Sequence, residues 1–360
     1  MKKLNKQDMI DILYGCAVLG TGGGGSLQDG LAMMEEDFAA GKELLLADLS
    51  EIPDDAYVAT PYGCGAPLPE RPDTGVVLEK TPAIMAFESL ERYIGETFFA
   101  VSSTELGGLN TAEALHTACQ LERPLADSDP AGRSVPELIH STYYLYGKPI
   151  YPFSVATNYG DVAVFEQVRD DFRAEELARA MAVASGNEVS VCDHPMTGRD
   201  FRESVIGGAI TYALEIGQIL RRAKEESRDA ASAIAEAKDG AVLFRGVVSA
   251  MPWESRDGFN FGSISLAGTG EYEGQSYRID FQNENIAAYR DGRLEVTVPD
   301  LICMIDGSGD PMTTPDFSVG DEMNVIALPA PKVWTTKKGL EIFGPRHFGI
   351  DCDYRPFDKR

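Results

Sequence analysis

A thiol, several carboxylates, an arginine and a histidine each fall just behind a short apolar run in this chain. Residues 56–60 lead into Tyr62-Gly-Cys64-Gly-Ala-Pro67, and residues 97–102 into Ser103-Thr-Glu105-Leu-Gly-Gly-Leu-Asn110. Residues 124–126 lead into Asp127-Ser-Asp129-Pro-Ala-Gly-Arg133, and residues 188–191 into Cys192-Asp193-His194-Pro195. A thiolate at Cys64 would attack an electrophilic carbon if its neighbours lowered its pKa. Glu105 suits a general base or metal ligand, beside two glycines that let a backbone approach a ligand. Asp127 and Asp129 have the spacing to bind a metal through oxygen or to share a proton. Arg133 suits a bidentate clamp on a substrate carboxylate. His194 and His347 lie in Pro- and Gly-containing loops, whereas His116 and His140 lie in helical patterns; imidazole is the usual acid/base near neutral pH. Each group also has a plainer role: a small loop thiol, a helix cap, an Asp–Arg pair holding a loop, a satisfied histidine.

If the apolar runs are strands of an open parallel sheet, the loops behind them share one edge, where ligands bind. Helical signals alternate with these runs. Asn5 with Asp8 opens a helix over 5–19, Ser26 opens a second, and Thr81-Pro82 a third. Asn110 or Thr111 opens another, and Ser134-x-x-Glu137 reads as a capping box. Further helices cover about 174–185 and 202–224. β-α alternation of this kind argues α/β layers with a mainly parallel sheet. Over 240–330 the helical period disappears. Short strand-like runs there are separated by Asp257-Gly258, Glu273-Gly274, Asp291-Gly292 and Asp306-Gly307, which are hairpin signals. The expected fold class is therefore an N-terminal layered α/β domain (1–232, carrying most of the site) plus a C-terminal all-β barrel or sandwich (240–330). The tail 331–360 is expected to pack back on the first domain.

The chain has 360 residues, enough for two domains with ample core, and 44% hydrophobic with 25% charged residues, ordinary for a globular protein. A formal charge of −25 without a basic stripe argues against nucleic acid and an anionic membrane surface. No run is long enough to span a membrane and no secretory leader is visible, so a cytoplasmic location is expected. The six cysteines form no C-x-x-C pair, which excludes a zinc ribbon or thioredoxin motif. The run Gly20-Thr-Gly-Gly-Gly-Gly25 follows a helix rather than a strand and lacks Gly-Lys-Ser/Thr, so it is neither a Rossmann fingerprint nor a P-loop, and no nucleotide is expected. Its alternatives are an anion or carboxylate cradle at a helix start, or a tight helix–helix corner.

Taken together, Leu19-Gly-Thr-Gly-Gly-Gly-Gly25, Gly63-x-Gly-Ala-Pro67, Glu105-x-Gly-Gly-x-Asn110, Asp127-x-Asp-x-x-Gly-Arg133 with Pro136-Glu137, Pro299-Asp-Leu-Ile302 and Gly344-Pro-x-x-Phe-Gly349 resemble the S-methyl thiohydantoin desulfurase family. The resemblance spans nearly the whole chain, with the motifs in the expected order. It implies displacement of sulfur from C2 of a thiohydantoin-type ring, releasing methanethiol and a hydantoin. On that basis Cys64 or a metal-bound water is the expected nucleophile. Glu105, Asp127 or Asp129 is the base or ligand, and His194 or His347 the acid or ligand. Gly22, Gly23, Gly24, Asn110, Arg133 and His347 are expected to hold a cyclic substrate bearing a carboxylate. Zinc on Asp127, Asp129 and His194 is the expected metal arrangement. A homo-oligomer is expected. Two other readings remain open: an auxiliary component that binds a cyclic amide in hydantoin or oxoproline metabolism, and a hydrolase cutting a C–N bond of a cyclic amide.

Overall fold

The computed structural model describes residues 1–65, 75–256 and 259–357. Ala66-Pro67 of the Cys64 motif and the Asp257-Gly258 turn lie outside the described residues.

The first half alternates strand and helix. In chain order come β1 (Lys2–Leu4), α1 (Lys6–Leu19), α2 (Leu27–Met33), α3 (Glu35–Ala39), β2 (Leu44–Ala47), β3 (Tyr57–Gly65) and α4 (Pro82–Ile94). They are followed by β4 (Ala100–Val101), α5 (Gly108–Leu121), β5 (Leu125–Ala126), β6 (Ser128–Asp129), α6 (Thr142–Leu145), β7 (Phe153–Thr157) and β8 (Val162–Phe165). Then come α7 (Asp171–Ala184), β9 (Glu188–Thr197), α8 (Gly198–Arg202), β10 (Ile206–Gly207), α9 (Ala209–Glu225) and α10 (Ala230–Ala237). The helix starts are locally encoded. Asn5 and Asp8 form a complete capping box on α1, and Ser26 accepts the Asp29 N–H to open α2. Eight strands form one mixed sheet in the order β1-β2-β5-β4-β3-β9-β7-β8. Its centre, β2, β5, β4 and β3, is parallel, while β9, β7 and β8 continue it antiparallel.

The Ser134-x-x-Glu137 box opens no helix. Pro136 sits inside it, Ser134 turns its hydroxyl to Glu284, and the next helix, α6, is capped by Ser141 instead. The tertiary partner outcompetes a local cap worth about 1 kcal/mol.

The second half is antiparallel. It runs β11 (Ala241–Ala250), β12 (Trp253–Arg256), β13 (Phe259–Gly268), β14 (Ser276–Gln282), β15 (Glu284–Arg290), β16 (Arg293–Thr297), β17 (Leu301–Ile305) and β18 (Glu322–Leu328). The order β16-β15-β14-β13-β11-β18-β17, with β12 beside β13, makes one curled sheet. Alternation along β14, with Tyr277, Ile279 and Phe281 buried, places every second side chain in its core. In the tail, α11 (Lys337–Phe343) and its flanks pack Trp334 and Phe343 against Ala131, Val135, Ile286 and Val298, so the tail touches both halves. Among the described residues no helix is long and apolar enough to cross a membrane.

Candidate active site

The two halves meet at the glycine corner. Thr21 C=O accepts the Asn285 N–H at 2.8 Å, and Gly22 C=O accepts the Thr314 N–H at 2.9 Å. Gly24 C=O accepts the Leu109 and Asn110 N–H groups at 3.1 and 3.2 Å, so a backbone carbonyl already caps α5. The glycines are needed for close approach. A Cβ on Gly23 would overlap the Glu284 carboxyl, and one on Gly24, whose φ is +74°, would overlap Gly107. The corner is a joint between helices and the β half. An acid beside it argues against a carboxylate cradle at Gly22, Gly23 and Gly24.

A cavity of about 220 Å³ opens at this joint. Gly22–Gly25, Tyr62, Cys64, Glu105 and Asn110 line it from the first half, Glu175 and Arg179 from α7, and Asn283, Glu284 and Thr314 from the β half. Asp29, Glu188 and Asp316 add further carboxylates. Arg179 is the basic side chain among the described lining residues; its guanidinium reaches Glu175 at 2.7 Å and lies over the Phe259 ring. The cavity is therefore acidic overall.

Burial sets the behaviour of these acids. Glu284, 3% exposed, takes the Ser134 hydroxyl at Oε1 (2.8 Å), while Oε2 has no partner among the described residues. Burial pushes its pKa up to about 7. Glu105 is pushed well above the ordinary carboxylate range, first by burial and then by Glu284 and Glu175. Its Oε2 accepts from Asn110 at 3.3 Å, and its backbone takes a φ of +55°, held by the turn into α5. Two carboxyls that repel one another titrate apart, the arrangement that yields one acid and one base.

Cys64 lies in strand β3 rather than in an exposed loop. Burial pushes its thiol up to about 12, Arg179 pulling against it and Glu175 and Glu105 adding to it. A thiol raised in this way is un-ionised near pH 7, so burial works against a thiolate at Cys64.

Behind Tyr62 runs a buried chain. The Tyr62 hydroxyl donates to Asp193 Oδ2 at 2.7 Å, and Asp193 Oδ1 lies 2.9 Å from His194 Nδ1. Strand β9 extends through His194 instead of ending before it. Opposite it, the pairing of β3 steps from Val58↔Met196 to Thr60↔Asp193, so β9 carries one extra residue. His194 has a φ of +46° in this bulge, and its ring rests on Tyr143 with centroids 4.5 Å apart. Bulges re-aim side chains in this way. His194 Nε2, buried, has no partner among the described residues and borders a small cavity of about 20 Å³ that Glu105, Glu137 and His140 also line. Tyr62, Glu105, Val135 and Leu138 line both this small cavity and the main one, and so separate His194 from it.

Other expected site residues have structural work. Asp127 accepts the Thr211 N–H (2.9 Å) and hydroxyl (2.6 Å), capping α9, whose own cap residue is glycine. Asp129 takes the Ala131 and Gly132 N–H groups on Oδ1 at 2.8 and 2.7 Å, and burial pushes its carboxyl up to about 8. Arg133 is fully buried and donates to Thr21 Oγ1 and to the carbonyls of Ser134, Pro299, Asp300 and Asn285, so it ties the halves together instead of clamping a substrate. Asp127, Asp129 and His194 do not converge into a metal site. The described residues that can hold a metal are Glu137, His140 and His347, whose ligand atoms lie within 4.8 Å of one another. His347 belongs to that group and does not line the main cavity.

The structure therefore gathers Cys64, Glu105, Asn110 and Gly22–Gly24. Glu284, Glu175, Arg179 and Tyr62 join them without having been expected. Glu175 and Arg179 carried a signal, an i,i+4 acid–base pair in a helix. Glu284 carried only a polar Gln282-Asn283-Glu284-Asn285 run interrupting strand alternation.

The fold is shared with a structural-genomics protein from Chromobacterium violaceum, at TM-score 0.80 and 21% identity over 99% of this chain and 100% of the other. No curated protein matches this chain. The model for the S-Me-THD-like N-terminal domain matches residues 7–167, and that for the S-Me-THD-like C-terminal domain matches 169–357. The family division thus falls just before α7, ahead of the boundary near 232–240 read from the change in texture. With both domain models matched in order along nearly its full length, the chain belongs to the S-Me-THD-like family.

Proposed function

We propose that this protein hydrolyses an S-methyl thiohydantoin-type ring, releasing methanethiol and a hydantoin. The observation that carries this reading is the Glu105–Glu284 pair, two carboxyls lining one cavity, one from each half of the chain, with raised pKa values. Glu284 takes a proton from water as its oxygen bonds to C2. Glu105, protonated, gives its proton to the imine-type ring nitrogen. The tetrahedral carbon then re-forms C=O and its hydroxyl proton returns to Glu105. The C–S bond breaks, and methanethiolate leaves with the proton held by Glu284. Water and substrate become hydantoin and thiol, and both carboxyls are restored. Cys64 forms part of the wall, and Arg179, paired with Glu175, is the cation nearest a substrate in the described lining.

The test is thiol release from an S-methyl thiohydantoin bearing a carboxylate side chain, with product mass measured in parallel. Methanethiol with a hydantoin mass supports the reading. A folded protein that releases no thiol sinks it, and a ring-opened product still carrying sulfur would mean C–N cleavage instead.

A further inference from the structure

From Glu137, His140 and His347 we infer a zinc site, apart from the main cavity, that staples the C-terminal tail to the first half of the chain. His140 Nε2 and His347 Nε2 lie 3.1 Å apart, and Glu137 Oε1 is 3.8 Å from His347 Nε2. Two ligands about 2.05 Å from a tetrahedral zinc are about 3.3 Å apart, so the imidazole pair already spans an edge of that tetrahedron. The Glu137 carboxyl stands within 4.8 Å of both imidazole nitrogens, positioned to close in as a third ligand. Two imidazoles and one carboxylate form a donor set zinc favours over calcium or magnesium.

The rings are held in place before any ion arrives. His140 is fully buried, with its centroid 4.9 Å from Phe343 and 5.4 Å from Phe348. Glu137 and His347 are partly exposed, which leaves an entry path and a fourth position for water. Without metal, His140 Nδ1 accepts the Glu137 N–H at 3.3 Å, so the Nε2 hydrogen faces His347. Zinc would move that hydrogen to Nδ1, where it would face the Glu137 N–H, so that backbone group must turn away for the ion to bind. His347 binds through the lone pair that already accepts, and no net proton is released. The ion would link positions 207 apart in sequence. It would also stiffen the segment whose Val135, Pro136 and Leu138 form a wall of the main cavity.

The test is calorimetric titration of the metal-stripped full chain with Zn²⁺, with thermal unfolding followed in parallel, and Co²⁺ as a spectroscopic probe. One zinc per chain, a rise of several degrees in Tm and the strong visible bands of tetrahedral cobalt are expected. His347→Ala and Glu137→Gln should each weaken binding by more than the roughly 10- to 100-fold that loss of an outer-shell partner costs. Both positions are partly exposed, and circular dichroism verifies that each variant is folded. Absence of stoichiometric zinc binding overturns the site, as does binding that both variants leave unchanged. This outcome is independent of thiol release.

Discussion

Tyr62 donates its hydroxyl hydrogen to Asp193 at 2.7 Å, which ties a residue of the cavity wall to the buried Asp193–His194 pair. Tyr62→Phe leaves one Asp193 oxygen buried without its donor. It should cost about 1–3 kcal/mol, the price of an unsatisfied buried acceptor. Urea unfolding should show a lower midpoint at unchanged slope, and an unshifted midpoint would mean that the contact contributes nothing.

Glu284 should set the acid limb of the rate profile. Its pKa of about 7 means that kcat/KM rises with pH through that value as the base loses its proton. Glu284→Gln should lower kcat by about 10²- to 10⁴-fold and remove the limb. A limb that persists in the variant would assign it to another group.

The same residue makes stability pH-dependent. Its pKa is 4.5 in ordinary surroundings and about 7 when folded, so the folded state binds the proton more tightly. Its stabilising contribution is complete below about 4.5 and is lost as pH rises through about 7, a change of about 3 kcal/mol. Glu284→Gln should flatten that part of the stability curve, as measured by denaturant titration at several pH values.

Cys64→Ala should retain kcat within a few fold, because the thiol is un-ionised near neutral pH. Loss of turnover in a folded Cys64→Ala protein would restore the thiol to the chemistry.

Gly23→Ala probes the joint. Its methyl group would collide with the Glu284 carboxyl, so Glu284 must move and activity should fall, though less than in Glu284→Gln. A protein as active as wild type would show that Glu284 yields without cost.

The helix starts and most strands were readable locally, because Asn5 with Asp8, Ser26, and the alternation of Tyr277, Ile279 and Phe281 act within a few residues. Glu105 and Asn110 were readable for the same reason, sitting in a short strand-to-helix turn. The site's other half was not. Glu284 becomes a candidate base only when Gly23 packs beside it, and local patterns carry no trace of a partner that far along the chain. Asp127, Asp129 and Arg133 misled for the opposite reason. Residue types suited to metal or substrate suit capping and cross-linking equally well, and only the Thr211, Ala131 and Asn285 contacts distinguish the uses. The bulge at His194 likewise depends on its register against β3.

The paired backbone bonds Thr21–Asn285 and Gly22–Thr314 work like the pivot of a caliper. Its jaws are Glu105 and Glu284, and the pivot sits beside the gap that they measure. A rotation there would change the spacing of Glu105 and Glu284, but Leu301, Cys303 and Ile305 of β17 share one hydrophobic cluster with Leu13, Cys16 and Ile216 of the first half, so the pivot is stiff. Neither jaw grips alone, and a core that runs through both halves keeps the gap at one setting.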